Sequence, residues 1–180
     1  MTKVLILILM VAVVSSCSKK TKELVRAVER SELTAEELAN LIPTDPQALF
    51  LYENKEQSDI IIRPSGLQIR IIKKGTGNIP TPRSTVTTNY HGTLIDGTVF
   101  DTTRDDGQPF TFPVVAVIKG WQEALYLMQE GAIYQVFIPA DLAYGQAGAG
   151  ASVPPGATLI FEVELLNVQQ PLKEAQNSGQ

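Results

Sequence analysis

Several residue types are scarce in this chain, and each scarcity removes a class of chemistry. One cysteine, Cys17, stands in 180 residues, so no disulfide can close within the chain. One histidine, His91, leaves no ligand set for zinc or another transition metal. The 15 Lys and Arg are outnumbered by 19 Asp and Glu, and no block of basic residues occurs. The electrostatic footprint of a phosphate-binding surface is therefore missing, and nucleic acid is not an expected partner. No apolar run approaches the roughly 20 residues that cross a bilayer as a helix. No nucleophile, base and acid form a set, and no cofactor is expected. There is no internal repeat. What is abundant is apolar side chain, 44% of the chain, enough for one domain whose fold rests on packing alone.

The N-terminus is the first patterned stretch. Lys3 gives a positive start, Val4 to Val14 form an apolar run of 11 residues, and Ser15 and Ser16 are small residues suited to a cleavage point. As a helix the run covers only about 16 Å, too short to stay as a transmembrane anchor. Residues 1–16 therefore read as an export signal. Val14-Ser15-Ser16-Cys17 resembles the lipobox of bacterial lipoproteins, which implies that Cys17 is acylated and becomes the mature N-terminus. Several acyl chains on one residue give stable attachment where one chain is marginal. The expected location is extracytoplasmic, lipid-anchored to a bacterial membrane. Ser18, rather than Asp, resembles the outer-membrane pattern of Gram-negative lipoproteins.

Residues 17–62 read as a tether and a short helical segment. Ser18 to Lys22 is polar, and Leu24, Val25 and Val28 make a brief helical stripe. Thr34 with Glu37 forms a capping box ahead of Leu38, Leu41 and Ile42, and Pro43 ends that helix. Asp45-Pro46 predicts a third helix running through Leu49 to Tyr52, and Glu53 to Asp59 reads as a linker. The main domain is expected over 63–168, followed by a polar tail at 169–180. Leu67, Ile69 and Ile71 alternate with polar residues up to the turn at Gly75-Thr76-Gly77. Thr85 to Leu94 and Val99 to Asp101 flank the hairpin signal Asp96-Gly97. Trp121, Ala124, Leu125 and Met128 share one face of a short helix that Gly131 can terminate. Ala132 to Ile138 and Thr158 to Val168 read as further strands. The expected fold is α+β: a twisted antiparallel sheet wrapped around one short amphipathic helix, preceded by a short helical segment.

The aromatic residues Tyr90, Phe100, Phe110, Phe112, Trp121, Tyr144 and Phe161 read first as core, because aromatics fill cores. The motifs around them change that reading. Asn89-Tyr90-His91-Gly92, Val99-Phe100-Asp101, Val117-Ile118-Lys119-Gly120-Trp121, Asp141-Leu142-Ala143-Tyr144-Gly145 and Pro154-Pro155-Gly156-Ala157-Thr158-Leu159-Ile160-Phe161 follow one another in an order and spacing that resemble FKBP-type prolyl cis-trans isomerases. The wording is most similar to the macrophage infectivity potentiator group, and the resemblance spans 65–168. It implies a proline pocket with Trp121 as floor. Tyr90, Asp101, Trp121, Tyr144 and Phe161 would carry catalysis, and Phe100, Phe110, Phe112, Val117 and Ile118 would bind substrate. The Ile118 amide and the Tyr144 hydroxyl would hold the ligand's carbonyl groups.

The pattern also departs from the family. Either Phe110 or Phe112 supplies the side wall, with Phe112 preferred. Asp106 stands where many eukaryotic members carry the arginine that supports the acidic pocket residue, and Arg104 is the candidate substitute. The stretch 146–153 has Val153 as its one bulky apolar residue. His91 reads as an exposed or sheet-edge residue and not as a general base. The resemblance implies proline-containing unfolded or exported polypeptides as partners. The alternative is a lipoprotein that binds proline peptides or acts as a chaperone without catalysis. A homodimer through N-terminal helices is a further expectation, since related surface isomerases pair in that way.

Overall fold

The computed structural model describes residues 42–105 and 107–171. The export signal, Cys17, the stripe at Leu24, Val25 and Val28, the Thr34 and Glu37 box with Leu38 and Leu41, Asp106 and residues 172–180 lie outside the described residues. From Thr44 onward the described residues form one compact unit.

That unit opens with helix α1, Pro46–Asn54, as the Asp45-Pro46 pair predicts. The Asp45 carboxylate accepts the amides of Gln47 at 3.0 Å and Ala48 at 2.9 Å, while Pro46 occupies a position whose amide would go unused. Seven strands follow in one sheet: β1 Ile60–Ile62, β2 Gln68–Lys73, β3 Thr85–Thr93, β4 Val99–Thr102, β5 Phe110–Pro113, β6 Ile133–Ile138 and β7 Leu159–Gln169. The strand order is β1-β2-β6-β7-β3-β4, with β5 also on β3, and every pairing is antiparallel. Helix α2, Lys119–Leu125, is the single α-helix within the run of strands among the described residues. Strands β1 and β5 were not expected, and β1 lies before residue 63.

Strand β7 shows how the sequence directs the sheet. Leu159, Phe161, Val163 and Leu165 are buried, and the residues between them are less so, which is the period of two that a one-sided sheet requires. Between Leu165 and Asn167 the register against β3 slips by one residue, and this bulge turns Val168 back to the buried side. Against this face sit Trp121, Ala124, Leu125 and Met128, all buried with Ile69, Val136 and Ile138. Each such aliphatic side chain contributes about 1.5–3 kcal/mol on leaving water. The helix is shorter than the stripe implies. After Leu125 the chain continues in tighter turns, with the Leu127 amide on Ala124 O at 3.0 Å and the Met128 amide on Leu125 O at 3.1 Å. Met128 is buried from a turn, not from the helix.

Candidate active site

Six rings meet on the buried side of the sheet, and local backbone features explain how each arrives there. Trp121 lies at the start of α2, 6% exposed, with Tyr90, Phe112 and Phe161 around it at centroid distances of 5.3, 5.7 and 5.1 Å. The interplanar angles are 90°, 65° and 88°, so the edges of one ring meet the faces of another, the arrangement favoured by the ring quadrupole. Phe100 stands edge-on to Phe161 at 5.3 Å, and Phe110 stands edge-on to Tyr90 at 6.3 Å.

Tyr90 is fixed through its backbone. Its amide donates to Thr103 Oγ1 at 2.9 Å, and its carbonyl accepts the Thr103 amide at 3.0 Å. Phe100 owes its direction to a bulge, because the register passes from Gly92↔Asp101 to Thr93↔Val99 and leaves one extra residue on β4. Two motif glycines make room for the rings and the helix. A Cβ on Gly92 would come within 2.7 Å of Phe161 Cε1, and one on Gly120 within 2.4 Å of Ile138 Cγ2. Any larger residue at Gly92 would displace a ring, and at Gly120 it would lift the start of α2 off β6.

Phe110 and Phe112 alternate along β5 on the same face and stack at 4.9 Å. They differ in depth. Phe112 is 4% exposed and sits under Trp121, while Phe110 is 48% exposed.

Ile118 precedes α2 with an extended backbone, and its carbonyl accepts the amides of Trp121 at 3.0 Å and Gln122 at 3.1 Å. Its own amide meets no acceptor among the described residues, so a donor is available beside the rings. Gln122 steadies this approach by donating Nε2 to Val117 O at 2.7 Å. Val117 and Ile118 are half-buried against the core. Neither Gln122 nor Thr103 was among the expected site residues, and nothing in their spacing distinguishes them from ordinary polar positions.

Tyr144 is placed apart from the ring cluster, on the loop after β6, and is 41% exposed. Asp101 is exposed on β4, beside Phe100. Arg104 does not take the expected supporting role, because its guanidinium pairs with Glu162. Val153 is buried in the core and closes a bridge with Ala149, so it is not an apolar surface of the loop. His91 is half-buried on β3, its Nδ1 3.1 Å from Thr102 Oγ1. Contrary to the expectation from the sequence, it is neither exposed nor at a sheet edge, because β3 is an inner strand and His91 pairs with Thr102 on β4 and Glu162 on β7.

The arrangement can hold a small flat apolar ring over Trp121 while a backbone amide takes a neighbouring carbonyl. Residues 77–166 match the family model described as FKBP-type peptidyl-prolyl cis-trans isomerase. The chain is 52% identical over 121 residues to the outer membrane protein MIP of Legionella longbeachae, which covers 67% of this chain and 52% of that protein. It is 52% identical over 103 residues to FK506-binding protein 1 of Dictyostelium discoideum, 56% of this chain and 96% of that protein. A crystal structure of a peptidyl-prolyl cis-trans isomerase from Pseudomonas syringae superposes with a TM-score of 0.65 at 32% identity, covering 78% of this chain and 99% of that one. The chain spans about half the length of the bacterial curated relatives it matches.

Proposed function

The chain belongs to the FKBP-type peptidyl-prolyl cis-trans isomerase family, and from that membership we propose that it catalyses cis-trans isomerisation of prolyl bonds in exported polypeptides. The observation that carries this reading is the ring cluster of Trp121, Tyr90, Phe161 and Phe100 beside the Ile118 amide, which meets no acceptor among the described residues. The barrier to rotation, about 18–20 kcal/mol, comes from resonance across the C–N bond. No proton or covalent bond has to move. The twisted amide separates less charge than the planar one, so an apolar pocket that strips water from it favours the transition state. Trp121 seats the pyrrolidine ring, Tyr90, Phe100, Phe161 and the open ring of Phe110 wall it, and Phe112 backs the floor. Val117 and Ile118 form the rim, with the Ile118 amide and the Tyr144 hydroxyl gripping flanking carbonyls, so the prolyl bond is the part left free to turn. Asp101 acts at the edge of this pocket on the carbonyl side. A ten-thousandfold acceleration needs only about 5 kcal/mol, within reach of desolvation and two donors.

A refolding assay limited by a prolyl bond tests the reading. The purified chain should accelerate the slow phase, Trp121→Ala and Tyr144→Phe should each lower kcat/KM about tenfold or more, and Asp101→Ala should lower it as well. A folded parent without activity would leave the non-catalytic peptide-binding reading in its place.

The anchor is a separate proposal. Cys17, after an apolar run too short to span a bilayer, carries lipid and holds the domain outside the cytoplasm. Labelling with an acyl-chain probe should mark the parent and not Cys17→Ser.

A further inference from the structure

Helix α1 lies outside the stretch 77–166 matched by the family model, yet it reaches the loop that carries Tyr144. The Oε1 of Gln47 accepts the amide of Thr158 at 2.8 Å. Thr158 is 1% exposed and stands just before β7, whose first residue, Leu159, pairs with Ile138. No other acceptor for that amide is present among the described residues. A buried amide left without a partner is costly, so the side chain of Gln47 does the work of a missing strand neighbour.

The same loop is closed on itself. The Gly156 amide donates to Gly145 O at 2.9 Å, and Ala149 and Val153 exchange amide bonds at 2.9 and 3.2 Å. Tyr144 directly precedes Gly145, so the tyrosine is tied to the Thr158 end of the loop through one backbone bond. Gln47 in turn is presented by a helix fixed from elsewhere. Phe50 packs on Phe137 at 6.1 Å, and the buried Asn54 donates to Gln68 Oε1 at 2.7 Å.

We infer that Gln47 is a positioning residue for the substrate-gripping loop: by holding the Thr158 amide it sets where Tyr144 stands and so the affinity for a prolyl peptide. The inference rests on the isomerase reading for the role of Tyr144, but the tether itself does not. Gln47 touches no reacting atom, so its loss should raise KM and leave kcat nearly alone.

The experiment compares the full chain with Gln47→Met, which keeps length and loses the acceptor, and Gln47→Glu, which keeps an acceptor. Hydrogen exchange at Gly156 and Thr158 should quicken about tenfold in Gln47→Met. Its KM for a proline tetrapeptide should rise about threefold to tenfold with kcat within about twofold. Gln47→Glu should stay near the parent in both. The inference is overturned if Gln47→Met keeps parental exchange and KM, or if Gln47→Glu behaves like Gln47→Met. Were the parent inactive, the isomerase reading would fall by itself. Exchange, together with peptide binding read from the fluorescence of the sole tryptophan, would still decide whether Gln47 positions the loop.

Discussion

Phe110 and Phe112 illustrate what single residues disclose. Two positions apart in a strand they share a face, so alternation places both on the pocket side and leaves open which one a ligand meets. Depth separates them, and depth depends on α2 covering one and not the other. Phe112, under Trp121, should behave as core: Phe112→Ala should lower stability by about 3–5 kcal/mol in urea unfolding. Phe110→Ala should leave the unfolding midpoint nearly unchanged and lower kcat/KM by about tenfold, the reverse of the preference drawn from the motif alone. Thr88 makes the opposite case, a residue whose strangeness only packing reveals. Its hydroxyl is buried on β3 and has no hydrogen-bond partner among the described residues. Thr88→Val keeps the shape and removes an unsatisfied polar group, and it should raise stability by about 1 kcal/mol.

Elements were legible in proportion to their length and regularity. Strands β2, β3, β4, β6 and β7 follow from alternation and from the Asp96-Gly97 turn, and α1 follows from Asp45-Pro46. Strand β5 was missed because Phe-Thr-Phe-Pro is four residues ending in proline, too short to establish a period. Strand β1 was missed because three isoleucines beside a polar stretch alternate with nothing. It is a strand because β2 offers an edge and Arg70 reaches back to clamp what precedes it. Arg70 Nε donates to Asp59 at 2.6 Å and Nη1 to Gln135 at 2.6 Å, with Gln57 on the other nitrogen. Arg70→Ala should therefore free this arm before the rest of the sheet. Exchange at Ile61, opposite Ile69, and at Arg63, whose amide donates to Leu67 O, should rise about tenfold or more, with little change in β7 amides; uniform exchange across both strands would mean the arm and the sheet open together. The pocket shows the same division: the motifs disclosed its rings, but the bulge that aims Phe100 and the Gln122 bond to Val117 depend on pairings with no sequence signature.

For the whole molecule, stability should be flat across neutral pH and fall at both ends for different reasons. On the acid side, the hydrogen bond from Arg70 holds the Asp59 carboxyl below its ordinary range, and the backbone amide of Thr98 does the same for Asp96. A carboxyl that binds protons more weakly folded than unfolded contributes stability above the unfolded value, and loses it as pH falls through and below about 4. On the alkaline side, burial raises the Tyr134 hydroxyl above the usual phenol value, and that hydroxyl donates to Leu127 O at 3.0 Å. Here the proton is held more tightly in the fold, so the contribution is complete below about pH 10 and is lost as pH climbs beyond it. An ionised Tyr134 could not donate, and the turn that buries Met128 would lose its tie to β6. Urea midpoints measured from pH 2 to pH 11 should trace this plateau. Asp59→Asn with Asp96→Asn should shallow the acid limb and leave the alkaline one alone, while Tyr134→Phe should lower the plateau and shallow the alkaline limb. An acid limb unchanged in the double variant would mean that other carboxyls govern it, and that the Arg70 clamp contributes nothing to holding the fold together in acid.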